Sequence, residues 1–414
     1  MIDILKKQIE LKIGKKITSR GDCEMISNAI LQTLDVNISY NTLRRLFGLA
    51  SHTKPNKKTL DTLSQFVGYK NYFHFSQNAP FKENTVLQRD IYKILYNEDK
   101  EALTELINNK KVNLQNYASF IAQLSRELLH TKSYDILNEL YKLRGLDYKT
   151  FTYSELLHIG NSIGLIIRKQ ELYNEKLSFN TNFLNCVYLT FVDYSSLNGY
   201  YGAWAKKILQ KKITKEIRIF TAAVLEFRKF LNNKHINSKA DNLLYTNDLN
   251  PILCSRLLAL KLIKANETET TEVLNKYYTI HSKKENLTDY SFELFTTSIL
   301  TKNLHVMEFL IQKINLTVKF YYQKSHLNSY YLMCAIYYKI IGDKKHEAKY
   351  STLFSLDECR YSYEEFIKLL YQVYLYSNAK NPSLKKKIKT KYIQLSKKFN
   401  YPYFSENYLM DYFK

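Results

Sequence analysis

Glycine and proline are scarce, 10 and 5 among 414 residues. Large nucleotide-binding sheets, β/α barrels and β-sandwiches need many tight turns, and hence more of both. The shortage argues against those folds and excludes collagen-like and flexible-linker chains. Tryptophan occurs once. Cysteine occurs five times, at Cys23, Cys186, Cys254, Cys334 and Cys359. No pair is spaced as CxxC, none clusters with histidine, and the number is odd. This pattern reads as reduced core thiols of a cytoplasmic protein. Also missing are a phosphate loop of the form GxxxxGK(S/T), an HExxH metal helix and a GxSxG nucleophile elbow. His346-Glu347 lacks the second histidine, and His130 and His158 read as packed or surface groups. We therefore expect no catalytic residues, no cofactor, no metal site and no enzyme. Residues Met1 to Lys7 lack the apolar core of a signal peptide.

What is present is charge, aromatic rings and helical periodicity. Hydrophobic residues make up 45% and charged residues 24%, the balance of an ordinary globular chain. At about 100–200 residues per domain, two to four domains are expected. Lys+Arg outnumber Asp+Glu by 61 to 39, a net +22. A polyanionic partner would explain that excess. So would AT-rich codons, which favour Lys, Ile, Asn and Tyr together, and there are 36 tyrosines. The least charged stretch, Leu177–Ala205, has Asp193 as its single ionised side chain. Its many Asn and Ser residues argue against a bilayer span, and we expect a buried helix pair there.

From Gln88 onward apolar residues recur at spacings of three and four, as at Phe120, Leu124 and Leu128. No stretch alternates with period two. The fold class expected is all-α: a small bundle over 1–80, then an α-solenoid of helical hairpins over 81–414. Three segments read as hairpin turns: Leu128–Leu137, Ile299–Met307 and Ile340–Ala348. Around the last, Tyr331, Leu332, Ala335, Tyr338, Gly342, Ala348, Tyr350 and Phe354 resemble the tetratricopeptide pattern. Another α-solenoid or an irregular helical array is the alternative. Gly160-Asn161-Ser162-Ile163-Gly164 reads as a close helix crossing, not a phosphate loop.

The first 80 residues carry twelve Lys/Arg and six Asp/Glu. Ser19 and Asp22 are candidate caps for a helix running to Leu34. Asp35-Val36-Asn37-Ile38 is a turn, and Ser39 caps a second helix, Tyr40 to Gly48. A polar loop from Ser51 to Lys58 precedes a third helix, Thr59 to Gly68. On the middle helix Thr42, Leu43, Leu46 and Phe47 face inward. Tyr40, Asn41, Arg44 and Arg45 remain at its N-terminal and outer faces, where Asn can pair with adenine and Arg with guanine. Lys54, Lys57 and Lys58 could reach phosphates.

Ile38-Ser39-Tyr40-Asn41-Thr42-Leu43-Arg44-Arg45-Leu46-Phe47-Gly48, then Lys54-Pro55, Thr59-Leu60 and Phe66-Val67-Gly68, resembles the Cro/C1-type helix-turn-helix. The usual turn glycine is absent, and Asp35 and Asn37 occupy its region. The resemblance implies duplex-DNA binding through Tyr40, Asn41, Arg44 and Arg45. The whole layout resembles transcriptional regulators that join such a domain to tetratricopeptide repeats. That implies a homodimer, with repeats that bind a peptide or protein effector or mediate dimerisation, and no membrane partner. The competing reading is a non-catalytic interaction scaffold that does not bind DNA. A third rests on Lys380–Lys398, where eight lysines sit near Tyr392, Phe399, Tyr401, Tyr403 and Phe404. Such a mixture can hold RNA or single-stranded DNA, or it can be the outer face of a terminal helix.

Overall fold

A computed structural model describes residues 2–51, 55–78, 91, 93–94, 97, 99–113, 117–236, 251–281, 287–313, 316, 318 and 322–414. The protein is all-α, with no strand among the described residues. It divides into two compact units, 1–96 and 97–414.

The first unit contains α1 (Ile2–Ile13), α2 (Arg20–Leu34), α3 (Tyr40–Leu46), α4 (Lys57–Phe66) and α5 (Tyr72–Asn78). Leu5, Ile9, Ile26, Ile30, Leu43, Leu63, Phe66 and Phe75 share its core. A capping box starts α2: the Asp22 amide donates to Ser19 Oγ at 3.2 Å, and Asp22 Oδ2 accepts from the Ser19 amide at 2.9 Å. The helix stops at Asp35, which takes the left-handed conformation (φ 54°) and donates its amide to Leu31 O at 2.9 Å. Aspartate enters that region more readily than most residues, so the turn closes without glycine.

The second unit holds the longer helices. They are α6 (Lys100–Asn113), α7 (Tyr117–His130), α8 (Tyr134–Leu140), α9 (Tyr153–Gln170), α10 (Tyr200–Leu209) and α11 (Lys215–Leu231). There follow α12 (Pro251–Leu262), α13 (Glu267–His281), α14 (Leu287–Thr301), α15 (Leu304–Lys313) and α16 (Gln323–Ile340). The last are α17 (Lys344–Leu353), α18 (Glu364–Asn378), α19 (Pro382–Phe399) and α20 (Glu406–Asp411). Alternate helices pack side by side: α7 on α9, α12 on α14, α14 on α16, and α13 on α15.

The three hairpin turns close in one way. Lys132, Lys302 and Gly342 are left-handed, with φ of 58°, 52° and 80°. The amide that follows each donates to the carbonyl five residues back: Ser133 to Leu128 (2.8 Å), Asn303 to Ser298 (3.0 Å) and Asp343 to Tyr338 (2.9 Å). This satisfies carbonyls that a helix end otherwise leaves open. Glu171 and Asn233 end α9 and α11 identically, with Leu172 donating to Ile167 O and Lys234 to Lys229 O. Lys, Glu and Asn thus stand where glycine is usual, which is how the chain manages with so few glycines.

Leu177–Ala205 is not the helix pair expected. It runs through 3₁₀ turns at Leu177–Phe179 and Tyr194–Ser196, with a helical turn Thr181–Phe183 and a π turn Leu184–Tyr188 between them. The cause is local. Asn180 Oδ1 accepts from the Phe183 amide at 3.1 Å, and Asp193 Oδ1 accepts from the Ser195 amide at 3.1 Å. Such side chains offer the backbone an alternative to helix. The segment is nonetheless largely buried and packs on α9. A Cβ on Gly160 would sit 1.7 Å from Thr190 Oγ1, and one on Gly164 would sit 2.1 Å from Phe191 Cγ. The Gly160–Gly164 stretch therefore marks a close crossing.

Helix α14 is buried from Thr288 to Leu300. It carries two acids into the interior. Glu293 pairs with Arg256 of α12 and accepts from the phenols of Tyr194, at 2.8 Å, and Tyr363. The Arg256 guanidinium lies 4.3 Å from the centre of the Tyr194 ring. Both charged residues are 2% exposed. Burial pushes the Glu293 carboxyl above its ordinary value, and Arg256 and Tyr363 oppose that. One turn earlier, Asp289 contacts His326 Nδ1 at 3.0 Å and accepts from Tyr322 OH at 3.1 Å. At the other end of α14, the phenols of Tyr403 (2.6 Å) and Tyr408 (3.1 Å) donate to Leu300 O, and Tyr412 (2.5 Å) donates to Ile299 O.

Two stability measurements test this description. Lys302→Gly should stabilise the protein by about 1 kcal/mol, because a left-handed residue with a side chain is strained, and the urea midpoint should rise. Arg256→Met should destabilise by about 3 kcal/mol, because it leaves Glu293 buried without its cation, and the midpoint should fall accordingly.

Candidate nucleic-acid interface

Local chemistry in the first unit positions α3. Ser39 caps it, its Oγ accepting from the Asn41 amide at 3.2 Å. Ser27 Oγ on α2 donates to Ile38 O at 2.6 Å, tying the preceding turn to the core. Leu43 and Leu46 are buried, while Thr42 and Phe47 are half-buried. Asn41 and Arg45 are exposed, and Arg44 is half-buried. Arg44 Nη1 donates to Asn41 Oδ1 at 3.3 Å, so the two side chains form one polar unit on the helix surface.

Tyr40 opens the helix and is half-buried. It packs partly against the core, and the Arg20 guanidinium lies 4.7 Å from its ring centre. Arg20 Nε in turn pairs with Glu24 Oε1 at 2.7 Å. The Arg20–Glu24 spacing of four was legible, but its contact with Tyr40 across the turn was not. Lys57 and Lys58 differ from expectation: they form the first turn of α4 rather than a loop. Asn56 caps that helix, accepting from the Thr59 amide at 2.8 Å, and the Asn-x-x-Thr spacing is the signal that would have moved the start back. Lys54 lies outside the described residues.

The electrostatics of the unit are uneven. Lys15 pairs with Asp22 at 2.5 Å and Arg20 with Glu24. Lys12 sits against the Phe66 ring and carbonyl. Glu10 accepts from the Ile17 amide at 3.0 Å, and Asp61 accepts from the Tyr72 amide at 2.8 Å. None of these acids meets Arg44, Arg45, Lys57 or Lys58, and those four form no ion pair among the described residues.

The lysine-rich stretch behaves otherwise than a stacking platform. Its lysines lie mostly on the exposed side of α19, and Lys389 and Lys398 pair with Glu406 and Glu365. Tyr392, Phe399, Tyr401 and Phe404 are buried and Tyr403 is half-buried, so these rings belong to the core of the second unit and are not open to bases. The five cysteines are buried and unpaired. Burial pushes the thiols of Cys186, Cys334 and Cys359 up to about 12, far from reactive thiolates. Among the described residues no group of three His, Cys, Asp or Glu side chains could hold a metal ion, and no helix is long and apolar enough to cross a membrane. No protein-family model, curated protein or solved structure matches the chain.

Asp22 anchors the start of α2 and is nearly buried. Lys15, the Thr18 amide and the Ser19 hydroxyl hold its carboxyl well below the usual range. A depressed carboxyl contributes stability that is complete above its unfolded value near 4 and is lost as pH falls toward the folded one. Asp22→Asn should therefore lower the urea midpoint of the first unit at pH 7. It should also flatten the decline of that midpoint below about pH 4, both read by urea titration at a series of pH values.

Proposed function

We propose that the chain is a DNA-binding transcriptional regulator. In this reading α2, the Asp35–Ile38 turn and α3 act as a helix-turn-helix. Helix α3 enters the major groove, with Asn41, Arg44 and Arg45 at base edges and Lys57 and Lys58 at phosphates. Tyr40 helps to seat the helix rather than to read bases. The observation that carries the reading is the charge distribution of the first unit: Glu10, Asp22, Glu24 and Asp61 are engaged away from α3, and Arg44, Arg45, Lys57 and Lys58 form no ion pair among the described residues. Unpaired cations beside a short capped helix suit a polyanion.

The second unit is read as a tetratricopeptide-like array that binds a peptide or protein effector or mediates dimerisation. Side-by-side packing of alternate helices supports this, as stacked helical hairpins pack in this way. A single small module buries too little surface for high specificity, so a homodimer on two half-sites is expected. The protein would act in the cytoplasm, without a membrane partner.

The test selects duplexes from a random pool with the full chain and measures binding across a salt series. Arg44→Ala/Arg45→Ala should reduce specific affinity by about 30-fold or more, since each Arg–guanine pair contributes roughly 1–3 kcal/mol, while helicity stays intact. Lys57→Ala/Lys58→Ala should weaken all duplexes alike and reduce the slope of log K against log[salt] by about 1.8. Unchanged affinity in the arginine variant refutes the assignment of α3. A stoichiometric protein complex with no footprint on chromosomal DNA would make the chain an interaction scaffold instead.

A further inference from the structure

The second unit contains an open cleft of about 430 Å³ beside α9. One face of α9 is clamped by Gly160 and Gly164 against Thr190 and Phe191. Residues at spacings of three and four along another face, His158, Asn161, Ser162 and Leu165, line the cleft. Arg126 of α7 lines it too, and Tyr322 and Tyr361 complete the wall.

Three observations point to a ligand. First, Asn161 is 8% exposed, yet its amide has no hydrogen-bond partner among the described residues. The amide lines the cleft and faces into it with a donor and an acceptor unused. Second, Arg126 is exposed, and among the described residues it forms no ion pair and no acidic side chain lines the cleft. His158, whose Nε2 lies 3.2 Å from Ser119 Oγ, adds a second nitrogen-bearing group. Third, Tyr361 is left-handed (φ 68°), a conformation strained for an aromatic residue and one that clusters at ligand sites. Its carbonyl accepts from Arg168 Nη1 at 2.8 Å, and Arg168 also pairs with Glu364, so the strained residue is held in place.

We propose that this cleft binds a small organic anion. Its charged group pairs with Arg126, and a planar amide- or base-like edge meets the Asn161 side chain. A guanidinium suits either carboxylate or phosphate, and an amide side chain complements either a peptide-type amide or a nucleobase edge. The volume lies in the range of small-molecule pockets. The ligand chemistry is thus shared by nucleoside monophosphates and N-acylated amino acids. This site does not depend on whether the first unit binds DNA.

The experiment is calorimetric titration of the full chain with adenosine 5′-monophosphate and, separately, with N-acetyl-leucine. Saturable one-to-one binding of one probe is expected and tells the two sources apart. Arg126→Gln and Asn161→Ala should each weaken that binding by about tenfold or more. Arg126→Gln should leave the unliganded thermal midpoint unchanged, since the side chain is exposed and forms no ion pair among the described residues. No heat with either probe up to about 10 mM, or affinity retained in either variant, overturns the proposal.

Discussion

The second unit is organised around one charged contact removed from water, Arg256 with Glu293. An isolated buried carboxylate is far too costly to keep, so the surrounding chain must supply its partners. It does so from three places: α12 gives the guanidinium, and the turns at Tyr194 and Tyr363 give the phenols. Each partner is useful only where the geometry is met. The contact therefore constrains register between elements that apolar packing alone would let slide. Asp289, one turn away, likewise gathers donors, Tyr322 and Gln323, and lies 3.0 Å from His326 Nδ1. The carboxylates thus give the interior fixed points, although hydrophobic burial supplies most of the driving force.

The all-α class and the three hairpin turns were legible, because scarce glycine and recurrent three–four spacing leave little room for anything else. The cap at Ser19 was legible for the same reason that it works: a short oxygen-bearing side chain three residues before an acid. Two things were not. The left-handed Lys132, Glu171 and Lys302 carry no signal, since their conformation is imposed by the helices they join rather than by preference. Leu177–Ala205 looked helical by its apolar content, whereas Asn180 and Asp193 redirect its backbone. On α11 the buried face is Ile217, Phe220, Ala223, Val224, Phe227 and Leu231, at the three–four spacing expected of such helices.

At the candidate interface the residue types were legible and their pairings were not. Asn41, Arg44 and Arg45 fall on a short capped helix, as its pattern indicates. That Arg20 covers Tyr40, and that Glu10, Asp22, Glu24 and Asp61 are engaged away from α3, depends on chain segments meeting in space. The net charge of +22 could not separate a polyanion-binding surface from codon bias. The distribution of ion pairs within one small unit speaks to that question more directly than any total.

The phenols that complete the end of α14 lie 103 to 113 residues further along the chain. Synthesis proceeds at about 5–20 residues per second, so α14 leaves the ribosome roughly 5–20 s before those phenols do. For that interval the most enclosed helix of the unit is also the least finished. Until those phenols emerge, the carbonyls of Ile299 and Leu300 lack the partners they have in the folded chain, so this end of the core closes late in synthesis.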